Sequence, residues 1–188
     1  MGSIVCITGG TAAGKSVLAR HLSSRFNLPQ FTPGDYQRQK FASKGFKSPA
    51  EYHKQLGLQQ TYYALWPEFI EQIRTNVSER GMIIGGIYTS EFLELIKQEF
   101  PTYRTSLLNV AAIRRIRFQR FKMREKLKGR EAETEFRALE ASKKATGLFH
   151  LLRHCDAIVK NQTTVSDFFE EGERVLLGLL DGGAMYAG

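Results

Sequence analysis

Cysteine is scarce in this chain: Cys6 and Cys155 are the only two among 188 residues. That excludes a disulfide framework and makes a reducing compartment the simplest expectation. Apolar residues nowhere run on for the roughly 20 positions that a membrane-spanning helix needs. The first residues also lack a basic stretch followed by a signal-type apolar run. A cytoplasmic protein without a membrane partner is therefore expected. The histidines, His21, His53, His150 and His154, stand at no metal-ligand spacing with the cysteines, so no zinc site is expected. Repeats, low-complexity tracts and an interdomain linker are missing too, and the length suits one α/β domain over residues 1–188. With 42% hydrophobic and 24% charged residues, the composition excludes a disordered or fibrous class. Positive charge is what the chain has in excess. A net charge of +8 and a pI near 9.6 imply an anionic partner, either a phosphorylated small molecule or a nucleic acid.

Short apolar, β-branched runs alternate with stretches of helical periodicity. Ser3–Thr8 reads as a buried strand, followed by glycines and then a helix whose apolar residues are Val17, Leu18 and Leu22. Gln30 to Thr32 reads as a short strand bracketed by Pro29 and Pro33, and Gly34-Asp35-Tyr36 as the opening of a helix. Ser48-Pro49-Ala50-Glu51 has the form of a capping box. A long amphipathic helix is expected from Leu58 to Arg80, bent at Pro67. Further strands are expected at Met82–Ile84, Thr105–Ala112 and Cys155–Lys160. The intervening helices are one around Phe92 to Phe100, capped by Thr89 or Ser90, and a basic region from Ile113 to Lys144. Val165 to Leu180 closes the fold, and the glycine-rich tail from Asp181 to Gly188 is expected to be mobile. Such alternation implies a mostly parallel sheet with helices on both faces. Right-handed crossovers then deliver every strand-to-helix loop to one sheet edge. Tyr62, Tyr63, Trp66 and Phe69 form an aromatic cluster that suits core packing or a base-stacking wall.

Gly9-Gly10-Thr11-Ala12-Ala13-Gly14-Lys15-Ser16 matches the phosphate-loop pattern G-x-x-x-x-G-K-S/T, between a strand and a helix as that motif requires. Glycines let the backbone wrap phosphate closely, and the helix N-terminus adds its dipole. Lys15 supplies a point charge for the β- and γ-phosphates and is expected to be exposed while the site is empty. The Ser16 hydroxyl is a candidate Mg²⁺ ligand.

With this loop at its head, the chain resembles the nucleoside monophosphate kinase superfamily. Within it, the likeness is to archaeal adenylate-kinase-related and cytidylate-kinase-type proteins, with dephospho-coenzyme A kinases nearby. The likeness implies a P-loop fold with a five-stranded parallel sheet in the order 2-3-1-4-5. It also implies an acceptor-binding helical insert at about 34–80, a helical lid at about 117–137, and ATP and Mg²⁺ as cofactors. Thr32-Pro33-Gly34-Asp35-Tyr36-Gln37-Arg38 is similar to the acceptor segment of these kinases. By that likeness Arg38 holds the acceptor and Asp35 serves substrate, metal and catalysis. The same residues also fit an Asp N-cap followed by a solvated arginine. Met82-Ile83-Ile84-Gly85-Gly86-Ile87 resembles the strand that usually ends in an acidic metal ligand, here replaced by Gly85, with Gly86 bordering the substrate. Arg114, Arg115, Arg117, Arg120, Lys122, Arg124, Lys126, Lys128, Arg130 and Arg137 resemble the lid segment. Arg117, Arg120 and Arg124 share a helical face, and Arg120 and Arg124 are the candidate phosphoryl clamp. Most of the other charges fit a solvated surface. Leu151 to Thr164 resembles the last strand and loop of the dephospho-coenzyme A kinase-like group, in which an Asp leads the strand, here Asp156, and Asn161 borders the nucleotide, although a strand-ending Asn and a helix-capping Thr account for the same residues.

The leading expectation is thus an ATP-dependent phosphotransferase with a small phosphate acceptor, a nucleotide or something similar. The alternative is a nucleotide-binding regulatory or RNA-associated P-loop protein with weakened catalysis, which Gly85 and the net charge would suit. No recognised RNA-binding module supports it.

Overall fold

The computed structural model describes residues 1–46 and 49–181. Ser48 of the expected capping box and the tail beyond Asp181 lie outside the described residues. The sheet contains β1 (Ser3–Thr8), β2 (Gln30–Phe31), β3 (Gly81–Gly85), β4 (Arg104–Ala111) and β5 (Ala157–Lys160). All pairs are parallel, and the order is β2-β3-β1-β4-β5. This is the 2-3-1-4-5 arrangement expected, with Ile7 of β1 opposite Gly85 of β3 and Leu108 of β4 at the sheet's centre.

Alternation along β1 divides the core. Ile4 and Cys6 join Met82, Ile84 and Leu107 on one face, packed against Phe41, Phe69, Ile73, Phe92 and Ile96. Val5 and Ile7 join Ile83, Leu108 and Val110 on the other, against Leu18 and Leu22 of α1 (Lys15–Phe26) and Phe168 and Leu176 of α9 (Val165–Leu180). Each such side chain contributes roughly 1.5–3 kcal/mol when fully buried. The aromatic cluster belongs to the first face: Tyr62 and Phe69 are buried, and Trp66 packs tilted over Phe92 at 5.4 Å. Cys6 is a buried core residue.

Several boundaries differ from the sequence expectation, each for a local reason. On α1 the inward residues are Leu18, Ala19 and Leu22, whereas Val17 is 45% exposed, because adjacent helical residues lie about 100° apart. The expected single helix from Leu58 is in fact α3 (Pro49–Thr61), a 3-10 turn (Tyr63–Leu65) and α4 (Trp66–Asn76). Gly57 sits in α3 at φ 70°, and Pro67 occupies the first turn of α4. Proline there starts a helix, its missing N–H being one the helix leaves unpaired anyway, so Pro67 does not bend a longer one. The basic region is also two helices, α6 (Arg114–Glu125) and α7 (Gly129–Ala145), interrupted where Lys126 takes φ 56°. β5 begins only at Ala157; Asp156 before it accepts the Leu107 backbone N–H, which ties β5 to β4. Thr89 caps α5 (Ser90–Glu99) by accepting the Phe92 N–H, and Thr164 forms a reciprocal capping box with Asp167 on α9. α2 (Pro33–Ala42) and α8 (Leu148–Arg153) complete the described elements. Among the described residues, no helix is long and apolar enough to cross a membrane.

Candidate functional site

The loop between β1 and α1 lies at the carboxyl edge of the sheet, where the loops after β3, β4 and β5 also arrive. Its fold depends on glycine at a defined point. Gly14 has φ 108°, and a Cβ there would stand 2.2 Å from Asn161 Nδ2. That amide donates to Ala13 O at 2.8 Å and thereby holds the loop from behind. Asn161 also accepts from Arg120: Nη2 reaches Oδ1 at 2.9 Å and Nη1 the backbone carbonyl at 3.2 Å. The residue expected to border the nucleotide therefore spends its side chain bracing both the loop and a cavity arginine.

A cavity of about 730 Å³ opens in front of the loop. Thr11, Ala12, Ala13, Gly14, Lys15 and Ser16 line it, whereas Gly9 and Gly10 are not among its lining residues. Asp35, Arg38 and Gly86 also line it, as do Arg120 and Arg124 from α6. The geometry thus brings together in one space the loop, the acceptor-segment residues and two of the three face-sharing arginines.

Lys15 departs from expectation. It is only 7% exposed, and its Nζ donates to Gly9 O and Gly10 O, both at 2.8 Å. Burial, reinforced by Lys143, Arg124 and Arg117, holds its pKa well below the ordinary lysine value, against the opposing pull of Glu140. The loop thus satisfies its own cation with carbonyl oxygens. A bound phosphate would displace those weak partners with a strong one.

Asp35 is not a helix cap. α2 starts two residues earlier, with Thr32 at the N-cap and Pro33 in the first turn, so Asp35 stands in the third helical position and pairs with Arg38. The pair is about half exposed on both sides and contributes at most about 1 kcal/mol. Asp35→Asn should therefore change unfolding free energy by less than about 1 kcal/mol in urea titration. Mg²⁺-dependent activity should nevertheless fall at least about tenfold if the carboxylate serves the metal. Unchanged activity in a stable variant would remove Asp35 from the site.

The absent carboxylate at position 85 has a packing counterpart. A Cβ on Gly85 would meet Thr32 Oγ1 at 3.2 Å and Ala19 Cβ at 3.4 Å, so α1 and the end of β2 close over this strand end. Gly86 follows at φ 92°, turning the chain toward Tyr88. Among the described residues no group of three or more His, Cys, Asp or Glu side chains could hold a metal ion by itself. Mg²⁺ does not require one: it is commonly bound by one or two carboxylates together with substrate phosphates and water. The Ser16 hydroxyl and the Asp35 carboxylate, both on the cavity wall, fit that requirement.

Other features of the site escaped the sequence reading. Glu140 on α7 accepts the Thr11 backbone N–H at 3.0 Å and the Arg117 Nη1 at 2.7 Å. Burial pushes the Glu140 carboxyl up, but these bonds outweigh it and hold the pKa below the usual value. Arg117 is thereby directed behind the loop, where its guanidinium packs 2.6 Å from the position a Cβ on Gly10 would take. It does not enter the cavity with Arg120 and Arg124. Lys143, one turn after Glu140, reaches Thr11 Oγ1 at 2.9 Å. Tyr88 lies beneath both lysines, its ring centre 5.4 Å from Lys15 Nζ and 4.8 Å from Lys143 Nζ. A Glu and a Lys three apart on a helix read locally as an ordinary surface pair, so no sequence signal marked them.

No protein-family model matches the chain. A UPF0200 protein of Thermococcus sibiricus is 21% identical over 180 residues, spanning 92% of this chain and 93% of that one. Shikimate kinase from Acinetobacter baumannii, solved with shikimate, superposes with a TM-score of 0.64 at 13% identity, covering 97% of this chain and 95% of that one. A gluconokinase from Sinorhizobium meliloti superposes with a TM-score of 0.60 at 11% identity, covering 96% and 94%. Sheet order, loop position and these superpositions agree: the chain has the fold of the small P-loop kinases.

Proposed function

We propose that this protein is an ATP- and Mg²⁺-dependent phosphotransferase that acts on a small acceptor, a nucleoside monophosphate or a similar phosphorylated molecule. The observation that carries the reading is the shared cavity. The phosphate loop, an Asp35–Arg38 acceptor wall and the Arg120 and Arg124 guanidiniums all face one space large enough for two small substrates.

In this reading Lys15 and the loop N–H groups hold the β- and γ-phosphates of ATP. Ser16 and Asp35 would hold Mg²⁺, which when bound neutralises phosphate charge. Arg38 orients the acceptor by a charge-assisted bond, leaving Asp35 for the metal side once their mutual pair opens. Arg120 and Arg124 face the charge that spreads over the phosphoryl oxygens during transfer. Asn161 and Glu140 keep the loop and Arg120 preset, so little reorganisation accompanies the chemistry. α6 and α7, hinged on the ring contacts of Phe118 and Phe121 with Phe136, would form the lid that excludes water.

The test is a panel of nucleoside monophosphates, phosphorylated metabolites and polyols offered with Mg-ATP, read as ADP release. Polyols are included because shikimate kinase and gluconokinase share the fold. Release stimulated by a narrow acceptor class supports the proposal. Tight ATP binding with no acceptor-stimulated release would favour a regulatory nucleotide site.

A further inference from the structure

We infer that Lys143 is a second phosphate-binding cation of the loop, which touches the terminal phosphate of the bound nucleotide beside Lys15. The inference rests on the nucleotide-binding half of the proposed function and is independent of the phosphoryl transfer.

Lys143 lies in the last turn of α7, near the end of the basic region and beyond the arginines singled out for the lid, yet it lines the cavity. An ammonium carries several N–H donors. Among the described residues, the hydrogen bond of Lys143 is to one hydroxyl, Thr11 Oγ1, and no carboxylate pairs with it within ion-pair distance. Glu140, the acid on its own helix, is already engaged by the Thr11 N–H and by Arg117. Lys143 lines the cavity together with Lys15 on α1 and Arg124 on α6, with the ring of Tyr88 below it and Glu140 as the carboxylate that acts on it most strongly. Burial, opposed by Glu140 and reinforced by Arg124 and Arg117, brings the Lys143 pKa down to about 8. A polyanion would supply the counter-charge that Glu140, already shared by Arg117 and the Thr11 N–H, gives these partly buried cations only in part. Thr11 stands at the middle of the phosphate loop, so the anion that Lys143 meets there is the phosphate end of a nucleotide, the same end that Lys15 serves.

The Glu140 brace explains how a lysine on a helix remote in sequence comes to this point. It fixes α7 to the Thr11 N–H, and one turn later the helix presents Lys143 to the hydroxyl of the same residue. Glu140 is accordingly a positioning residue that acts through Lys143 and the loop.

The experiment compares ATP and ADP affinities by calorimetry in wild type, Lys143→Met and Lys143→Arg, with thermal unfolding as the fold control. Lys143→Met should lose about 10- to 100-fold in ATP affinity and change ADP affinity by less than about threefold, since a bond between charged groups is removed from one phosphate only. Lys143→Arg should restore most of the ATP affinity. ATP affinity in wild type should also fall as pH rises through about 8, where Lys143 loses its proton. The slope should be shallower by about one proton in Lys143→Arg, because arginine stays charged. Should Lys143→Met fail to fold, Lys143→Gln offers the same comparison. Equal losses for ATP and ADP, or none for either, overturn the assignment. A protein that discriminates ATP from ADP through Lys143 but transfers no phosphate would keep this inference and lose the kinase reading.

Discussion

Lys15→Ala should lower phosphoryl-transfer turnover by about 10²–10⁴-fold, equivalent to about 3–5 kcal/mol of transition-state stabilisation. No other described side chain combines its position at the helix start with contact to the loop's own carbonyls. The fold should survive. Although Lys15 is buried, burial disfavours its charged form, so its removal relieves a desolvated cation and leaves Gly9 O and Gly10 O to be met by water. Unfolding midpoints close to wild type are therefore expected alongside the kinetic loss. Turnover within twofold of wild type would remove Lys15 from the phosphate site.

The second large effect is expected at Arg120. Its guanidinium is held in place by two bonds to Asn161, and Asn161 in turn holds Ala13, so position 120 is preset relative to the loop. Arg120→Ala should lower kcat by about 10²–10³-fold with little change in ATP affinity, because the charge it meets develops during transfer. Arg124→Ala should show a smaller loss. Arg124 is more exposed and pairs with its neighbour Glu125, which leaves it less fixed before substrate binds. The contrast also separates the kinase from the RNA-associated reading. On a nucleic-acid face the two arginines would act alike, each reducing the salt slope of binding by about one. Among the described residues, four of the ten cations in the basic run have carboxylate partners: Arg114 and Arg137 share Glu133, Arg117 takes Glu140 and Arg124 takes Glu125. Equal, modest losses at both positions together with salt-dependent RNA binding would reverse this assignment.

The β1–loop–α1 unit was legible because motif, strand and helix start are contiguous in sequence and each constrains the others. The helix caps were legible to within a residue for the same reason, a cap and its partner lying within one turn: of Thr89 and Ser90 the structure selects Thr89, and the helix-capping threonine is Thr164. What escaped depends on distant contacts. The break between α3 and α4 follows from Tyr62 and Leu65 turning into the core beside Phe69 and Phe92, which helical periodicity alone does not reveal. Lys15 was expected to be exposed because its motif role is to reach out. Instead its Nζ folds inward onto the carbonyls of Gly9 and Gly10, within a site that α6 and α7 reach only through distant contacts. The Asn161 brace links residues 148 apart, and the Glu140 bond to Thr11 spans 129, separations at which a single sequence carries no pairing signal. At Asp35 the structure decides against one of the two readings the sequence allowed, the helix cap. The residue's place at the cavity stands, but the helix begins at Pro33 and leaves Asp35 to pair with Arg38.

The most direct measurement of the central claim follows the label from γ-labelled Mg-ATP in the presence of the best acceptor found, with wild type and Lys15→Ala run in parallel. The account predicts that label leaves ATP for a small-molecule product in wild type, that ADP appears in equal amount, and that both are lost in Lys15→Ala. Label that stays in ATP, or reaches inorganic phosphate at a rate indifferent to acceptor and to Lys15, would contradict it.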